Sequence, residues 1–133
     1  MTEDIFSKGI GNKESQKSLS PKPVVVQGKV AEAVLGKAGS KNAGKEVGKK
    51  LILLCKHPDK EEAIKLSTMN FISGKTVKSS TMWINIDEDG LIQKGSSVAI
   101  LLDKYRVATV NDLVGKTIET ELDENKFLAI KAY

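Results

Sequence analysis

The fold of this chain turns on residues 24–50, VVVQGKVAEAVL followed by GKAGSKNAGKEVGKK. Val24, Val26, Val30 and Val34 alternate with Gln27, Lys29 and Ala31, the period of two expected of a long strand with one buried face. Gly28 interrupts that pattern. A glycine inside a strand marks a bulge or a sharp coil, the device by which one strand serves two parts of a barrel. Residues 36–50 then carry four glycines and no periodic apolar face, which reads as a mobile loop. That loop holds Lys37, Lys41, Lys45, Lys49 and Lys50 against a single acid, Glu46.

Downstream, Leu51 to Leu54 restart the sheet with Cys55 at its edge, and residues 57–62, HPDKEE, form a turn. Ala63 to Ser73 alternates again, with Ile64, Leu66 and Ile72 on one side and Lys65, Ser67, Met69 and Phe71 on the other. After a turn at 73–75, Ser80 to Ile86 reads as a strand carrying Trp83, ended by DEDG at 87–90. The period then changes: Val98, Leu101, Leu102 and Tyr105 form the stripe of a short amphipathic helix, capped by Ser96 or Ser97. Two strands follow, Lys116 to Leu122 and Lys126 to Tyr133, joined by a tight hairpin at Asp123 to Asn125.

This order describes a mainly β protein. A five-stranded OB-fold barrel has the same order, with one short helix between strands 3 and 4. Other small barrels and an α+β sandwich share parts of it. The expected organisation is a flexible, disordered leader over residues 1–22 and an OB-fold domain over residues 23–133. The leader is polar and rich in Lys, Ser and Gly; Ile5, Phe6 and Ile10 are its apolar exceptions.

The 133 residues suit one domain, with 40% hydrophobic and 29% charged residues. No apolar run approaches the roughly 20 residues that span a bilayer. The lone Cys55 allows no internal disulfide and fits a reducing compartment, so the expected location is cytoplasmic, or the host cytoplasm if viral. The formal net charge of +4 is concentrated in the 36–50 segment, the electrostatic footprint of a polyanion partner.

Catalysis finds little support. His57 lies two residues from Cys55, but nothing nearby in sequence completes an orienting constellation, and Cys55 reads as a small core residue. The glycines of the basic loop miss the spacing of a phosphate-binding loop. Asp87-Glu88-Asp89-Gly90 lacks the alternation of a calcium loop, and one Cys with one His makes no ordinary zinc site. The expectation is a non-enzyme without cofactor or metal.

Binding chemistry fares better. Single-stranded nucleic acid needs cations along a groove and aromatic side chains on which bases stack. The candidate contacts are Lys37, Lys41, Lys45, Lys49 and Lys50 in the first loop, Lys65, Lys75 and Lys78 around the next strands, and Phe71 and Trp83 as stacking residues on polar strand faces. In an OB-fold the loop joining strands 1 and 2 flanks the ligand groove, and the basic segment falls in that loop.

VVVQGKV, the lysine- and glycine-rich loop, the aromatic-bearing sheet face and KGSSVAILLDKYRVATVNDLVGKTIETELDENKFLAIKAY together resemble the small OB-fold single-stranded DNA-binding proteins of bacteriophages and their bacterial relatives. The resemblance is one of layout over residues 23–133. It implies coating of exposed strands during DNA replication or recombination with little base preference, homo-oligomers, and replication or recombination proteins as partners. The sequence departs from that family in closing on KAY without an acidic, glycine-rich tail. Two alternatives stand beside this reading: a protein-interaction module of a small virion or replication complex, and an RNA-binding OB domain. Membrane association is not expected.

Overall fold

The computed structural model describes residues 19–133. The strands are β1 Val24–Leu35, β2 Glu46–Lys56, β3 Ile64–Leu66, β4 Thr68–Ser73, β5 Thr76–Thr81, β6 Thr117–Ile118, β7 Thr120–Leu122 and β8 Leu128–Lys131. One α-helix, α1 Ser97–Lys104, and a 3-10 turn at Val110–Leu113 lie between β5 and β6 among the described residues. The fold is mainly β. Its strands form two four-stranded sheets, ordered β3-β2-β1-β6 and β5-β4-β8-β7. Only Ser67 separates β3 from β4 and only Glu119 separates β6 from β7, so the sheets curl round a shared core. The β4–β8 pairing is parallel, with Met69 opposite Ile130; the other ladders are antiparallel.

Two interruptions decide which side chains reach that core. In β1, Val26 opposes Cys55 and Gly28 opposes Leu54, so Gln27 is an extra, bulged residue. Because side chains alternate along a strand, one extra residue turns everything after it to the other face. Val24 and Val26 are buried, but beyond the bulge Lys29 and Ala31 share the face of Leu53 and Leu51 and are themselves exposed, at the margin of the core. Val30 and Val34 are therefore on the outer face, contrary to the single buried face expected from the sequence. The break at Ser67 acts in the same way. Leu66 and Met69 both reach the core, Phe71 packs against it, and Ile72 is left exposed.

The basic segment is also shorter as a loop than expected. β2 begins at Glu46, so Lys49 and Lys50 are strand residues and the connecting turn covers 37–45. Gly39 and Gly44 there have φ of 84° and 74°, conformations that suit glycine. The strand expected over 80–86 is displaced as well. β5 ends at Thr81, and Trp83 makes an isolated bridge to Lys50.

Helix α1 follows its sequence pattern. Ser96 Oγ accepts the Ala99 N–H (3.4 Å), while Val98, Leu101 and Leu102 are buried. Tyr105, just past its end, ties the helix to the sheets. Its hydroxyl donates to the Lys131 carbonyl (2.8 Å) and accepts the Glu119 N–H (3.0 Å). Burial, ahead of neighbouring charge, pushes this phenol above its ordinary pKa.

The expected leader falls mostly on residues 1–18, which lie outside the described residues, as do Ile5, Phe6 and Ile10. The next few residues run along the β6–β7 side. The Ser20 carbonyl accepts from His57 Nε2 (2.8 Å), Lys22 pairs with Asp59 (3.0 Å), and the Lys22 carbonyl accepts the Thr120 hydroxyl (2.7 Å). No helix among the described residues is long and apolar enough to cross a membrane.

Candidate nucleic-acid interface

The outer face of β2 carries Gly48, Lys50, Ile52 and Leu54, opposite Val34, Glu32, Val30 and Gly28 of β1. On the other side of β2, the Met82–Ile84 segment extends the sheet. The Leu51 N–H donates to the Met82 carbonyl (2.8 Å), the Ile84 N–H donates to the Lys49 carbonyl (2.9 Å), and Trp83 stands opposite Lys50. Met82 is fully buried and Ile84 packs against the core, so strand alternation sends Trp83 outward. The Cε3–Cζ3 edge of its six-membered ring sits against Gly48, where the missing side chain leaves room for the indole. The ring is half-buried, with part of its surface left to solvent.

Glu32, Lys50 and Trp83 thus form one row across three adjacent segments on one face. Lys50 Nζ is 3.9 Å from Glu32 Oε1, an ion pair beyond hydrogen-bonding distance. Lys65, opposite Leu54, shares this face about 13 Å further along β2, at strand spacing. Lys37, Lys41 and Lys45 are exposed in the turn at the tip of the β1–β2 hairpin, which extends beyond the core.

The remaining candidates lie elsewhere. Lys49 sits on the opposite face of β2, opposite Ala33. Phe71 turns inward and packs against the core, so it is not on a polar face. Lys78 is opposite Phe71, and Lys75 is at the β4–β5 turn, on a separate hairpin. The structure brings together Trp83, Lys50 and Lys65, with the basic turn beyond, and leaves Phe71, Lys49, Lys75 and Lys78 outside that group.

Two contributors were not singled out from sequence: Glu32, which faces Lys50, and Gly48, which seats the indole. Counting Gly28 as a completed bulge would have placed Glu32 on the outer face. A buried polar cluster was also missed. Asn70 Nδ2 donates to Glu121 Oε1 (2.8 Å) and to the Leu122 carbonyl (3.0 Å), and Ser79 donates to Asn70 Oδ1 (2.7 Å). Tyr133 donates to the other Glu121 oxygen (2.8 Å), which holds its phenol above the ordinary range.

The Cys55–His57 pair is arranged structurally. Cys55 is fully buried, and desolvation pushes its thiol up to about 12. His57 Nδ1 accepts the Asp59 N–H (3.0 Å), so Nε2 carries the proton that reaches Ser20. Both ring nitrogens are thereby engaged in holding the chain around this turn. Asp87 closes its own turn by accepting the Asp89 and Leu91 N–H groups (both 2.9 Å). Among the described residues, no group of three or more His, Cys, Asp and Glu is arranged to hold a metal ion. No family model, curated protein or solved structure matches this chain.

Proposed function

We propose that this chain is an OB-fold module that binds single-stranded nucleic acid without catalysing a reaction, with single-stranded DNA as its ligand. The observation that carries this reading is the outward indole of Trp83 on Gly48, beside Lys50 and in line with Lys65 and the basic hairpin tip. A base stacks on the indole while the lysines meet phosphates on either side. The strand pairings support the OB reading. β6, β1, β2 and β3 pair in one sheet and β5, β4, β8 and β7 in the other, and the chain itself carries one sheet into the other at Ser67, between β3 and β4, and at Glu119, between β6 and β7. In the role that the resemblance to bacteriophage proteins implies, the module coats strands exposed during replication or recombination.

Titrating labelled oligo-dT with the protein at low and moderate salt, while following Trp83 emission, tests the proposal. Salt-sensitive binding with quenching is the expected result; an absence of binding at low salt overturns it. An oligo-rU arm decides between DNA and RNA. A second reading, an assembly module, draws on Ile72 and Val77, which face each other and are exposed on the β4–β5 hairpin. Molar mass by light scattering, with and without Ile72→Lys, tests that reading.

A further inference from the structure

The row Glu32–Lys50–Trp83 places an acceptor and a donor side by side next to the stacking surface. Glu32 is more than half exposed, at 55%, and Lys50 retains 29% exposure. Their 3.9 Å contact is loose, so the carboxylate oxygens and the ammonium protons still have directions free for a ligand. The indole sits against Gly48, two residues from Lys50 along β2, or about 7 Å at strand spacing. A base stacked on the indole has the Lys50 and Glu32 side chains, which rise from the same face, beside it.

The four bases present different edges to this pair. Guanine offers two adjacent donors, N1–H and the N2 amine, which match the two oxygens of a carboxylate, with O6 beside them as an acceptor for an ammonium. Cytosine and adenine each offer a single amine to Glu32 and a ring nitrogen to Lys50. Thymine offers one N–H between two carbonyl oxygens, both of which face the carboxylate unfavourably. A site that merely bound phosphate would have no use for an acid in this row, because Glu32 weakens the local attraction for a polyanion.

Resting on the nucleic-acid reading above, we propose that Glu32 and Lys50 select guanine at the base stacked on Trp83, so the module binds single strands with a guanine preference at one position. Glu32 accepts from N1–H and N2–H, Lys50 donates to O6, and Trp83 supplies the stacking plane.

The test uses the full chain and three nonamers: dT9, dT9 with a central dG, and dT9 with a central inosine, which keeps N1–H and O6 but lacks the N2 amine. Trp83 quenching and anisotropy report binding at one low salt concentration. The expected result is roughly tenfold tighter binding of the dG strand than of dT9, with inosine between them. Glu32→Gln, an exposed substitution, should collapse the ratio of dG to dT9 affinity toward one. Equal affinity for all three strands, with dT9 binding and quenching intact, overturns the guanine preference alone. A dG preference that persists in Glu32→Gln overturns the role of Glu32. Failure to bind any strand overturns the nucleic-acid reading itself, and this inference with it.

Discussion

Trp83 rests on Gly48 closely enough that a methyl group at position 48 would stand 3.1 Å from the indole Cζ3 and 3.4 Å from Cε3. The glycine therefore sets where the indole sits, because any side chain there lifts or turns the ring. Gly48→Val should shift Trp83 emission and weaken single-strand binding while leaving the core intact. Trp83→Ala should cost about 1–3 kcal/mol of binding, the range for one base–aromatic stack. Anisotropy titrations of oligo-dT, with circular dichroism as the folding control, measure both. Full affinity in both variants would remove Trp83 from the interface.

Asn70 joins three strands through its amide, which is almost fully buried at 3% exposure. Asn70→Ala leaves the Leu122 carbonyl, the Ser79 hydroxyl and one Glu121 oxygen without this partner. Loss of a buried partner costs about 1–3 kcal/mol, and the upper part of that range is expected here. Asn70→Asp sets a second carboxylate against Glu121, and like charges at that distance raise a carboxyl pKa in the folded state. The stability of that variant should therefore recover as the pH falls and one of the two carboxyls takes up a proton. Urea midpoints at neutral and mildly acidic pH check both expectations.

How far the sequence could be read depended on where strand alternation stays in phase. Helix α1 and the presence of a hairpin after Leu122 were legible because each is local, an i, i+3, i+4, i+7 stripe behind Ser96 and a polar turn between two apolar runs, although that turn extends to Phe127 and β8 starts only at Leu128. Val30, Phe71 and Ile72 were misassigned because one bulged residue at Gln27 and one break at Ser67 invert everything after them. Gly28 hinted at the first, but nothing in the residues around Ser67 signals the second. Trp83 was assigned outward on the right grounds, its parity with Met82 and Ile84, although the strand around it is an isolated bridge. The partners Gly48 and Asn70 were beyond reach, since each contact joins segments that are distant in sequence and depends on a register fixed only by packing.

Cys55 makes a prediction about pH. Its thiol is pushed from 9.0 up to about 12 by desolvation, so the folded state holds this proton more tightly than the unfolded chain. The corresponding stability is fully present below pH 9 and is lost as the pH rises through about 12. Tyr105, also raised by burial, adds to the loss in the same direction above its ordinary value. Chemical denaturation from pH 8 upward should show a falling midpoint, with a shallower decline in Cys55→Ala. The same burial keeps the thiolate scarce, so a disulfide reagent should react with native protein only as fast as the protein opens. Rapid stoichiometric labelling of the folded protein would contradict that.

The lysines at the hairpin tip make a quantitative prediction about salt. Lys37, Lys41 and Lys45 are exposed around Gly39 and Gly44, and the tip projects from the same hairpin that carries Lys50. If each of the three neutralises one phosphate, binding releases about 0.7 counterion per contact for a single strand. Replacing all three with glutamine should therefore reduce the slope of log affinity against log salt by about 2. Base preference and Trp83 quenching should be unaffected, because the tip lysines lie apart from the Glu32–Lys50–Trp83 row. Affinities of the triple variant for oligo-dT at four salt concentrations give the slope directly. An unchanged slope would mean that the tip does not touch the backbone, and would leave Lys50 and Lys65 as the cations that hold the strand.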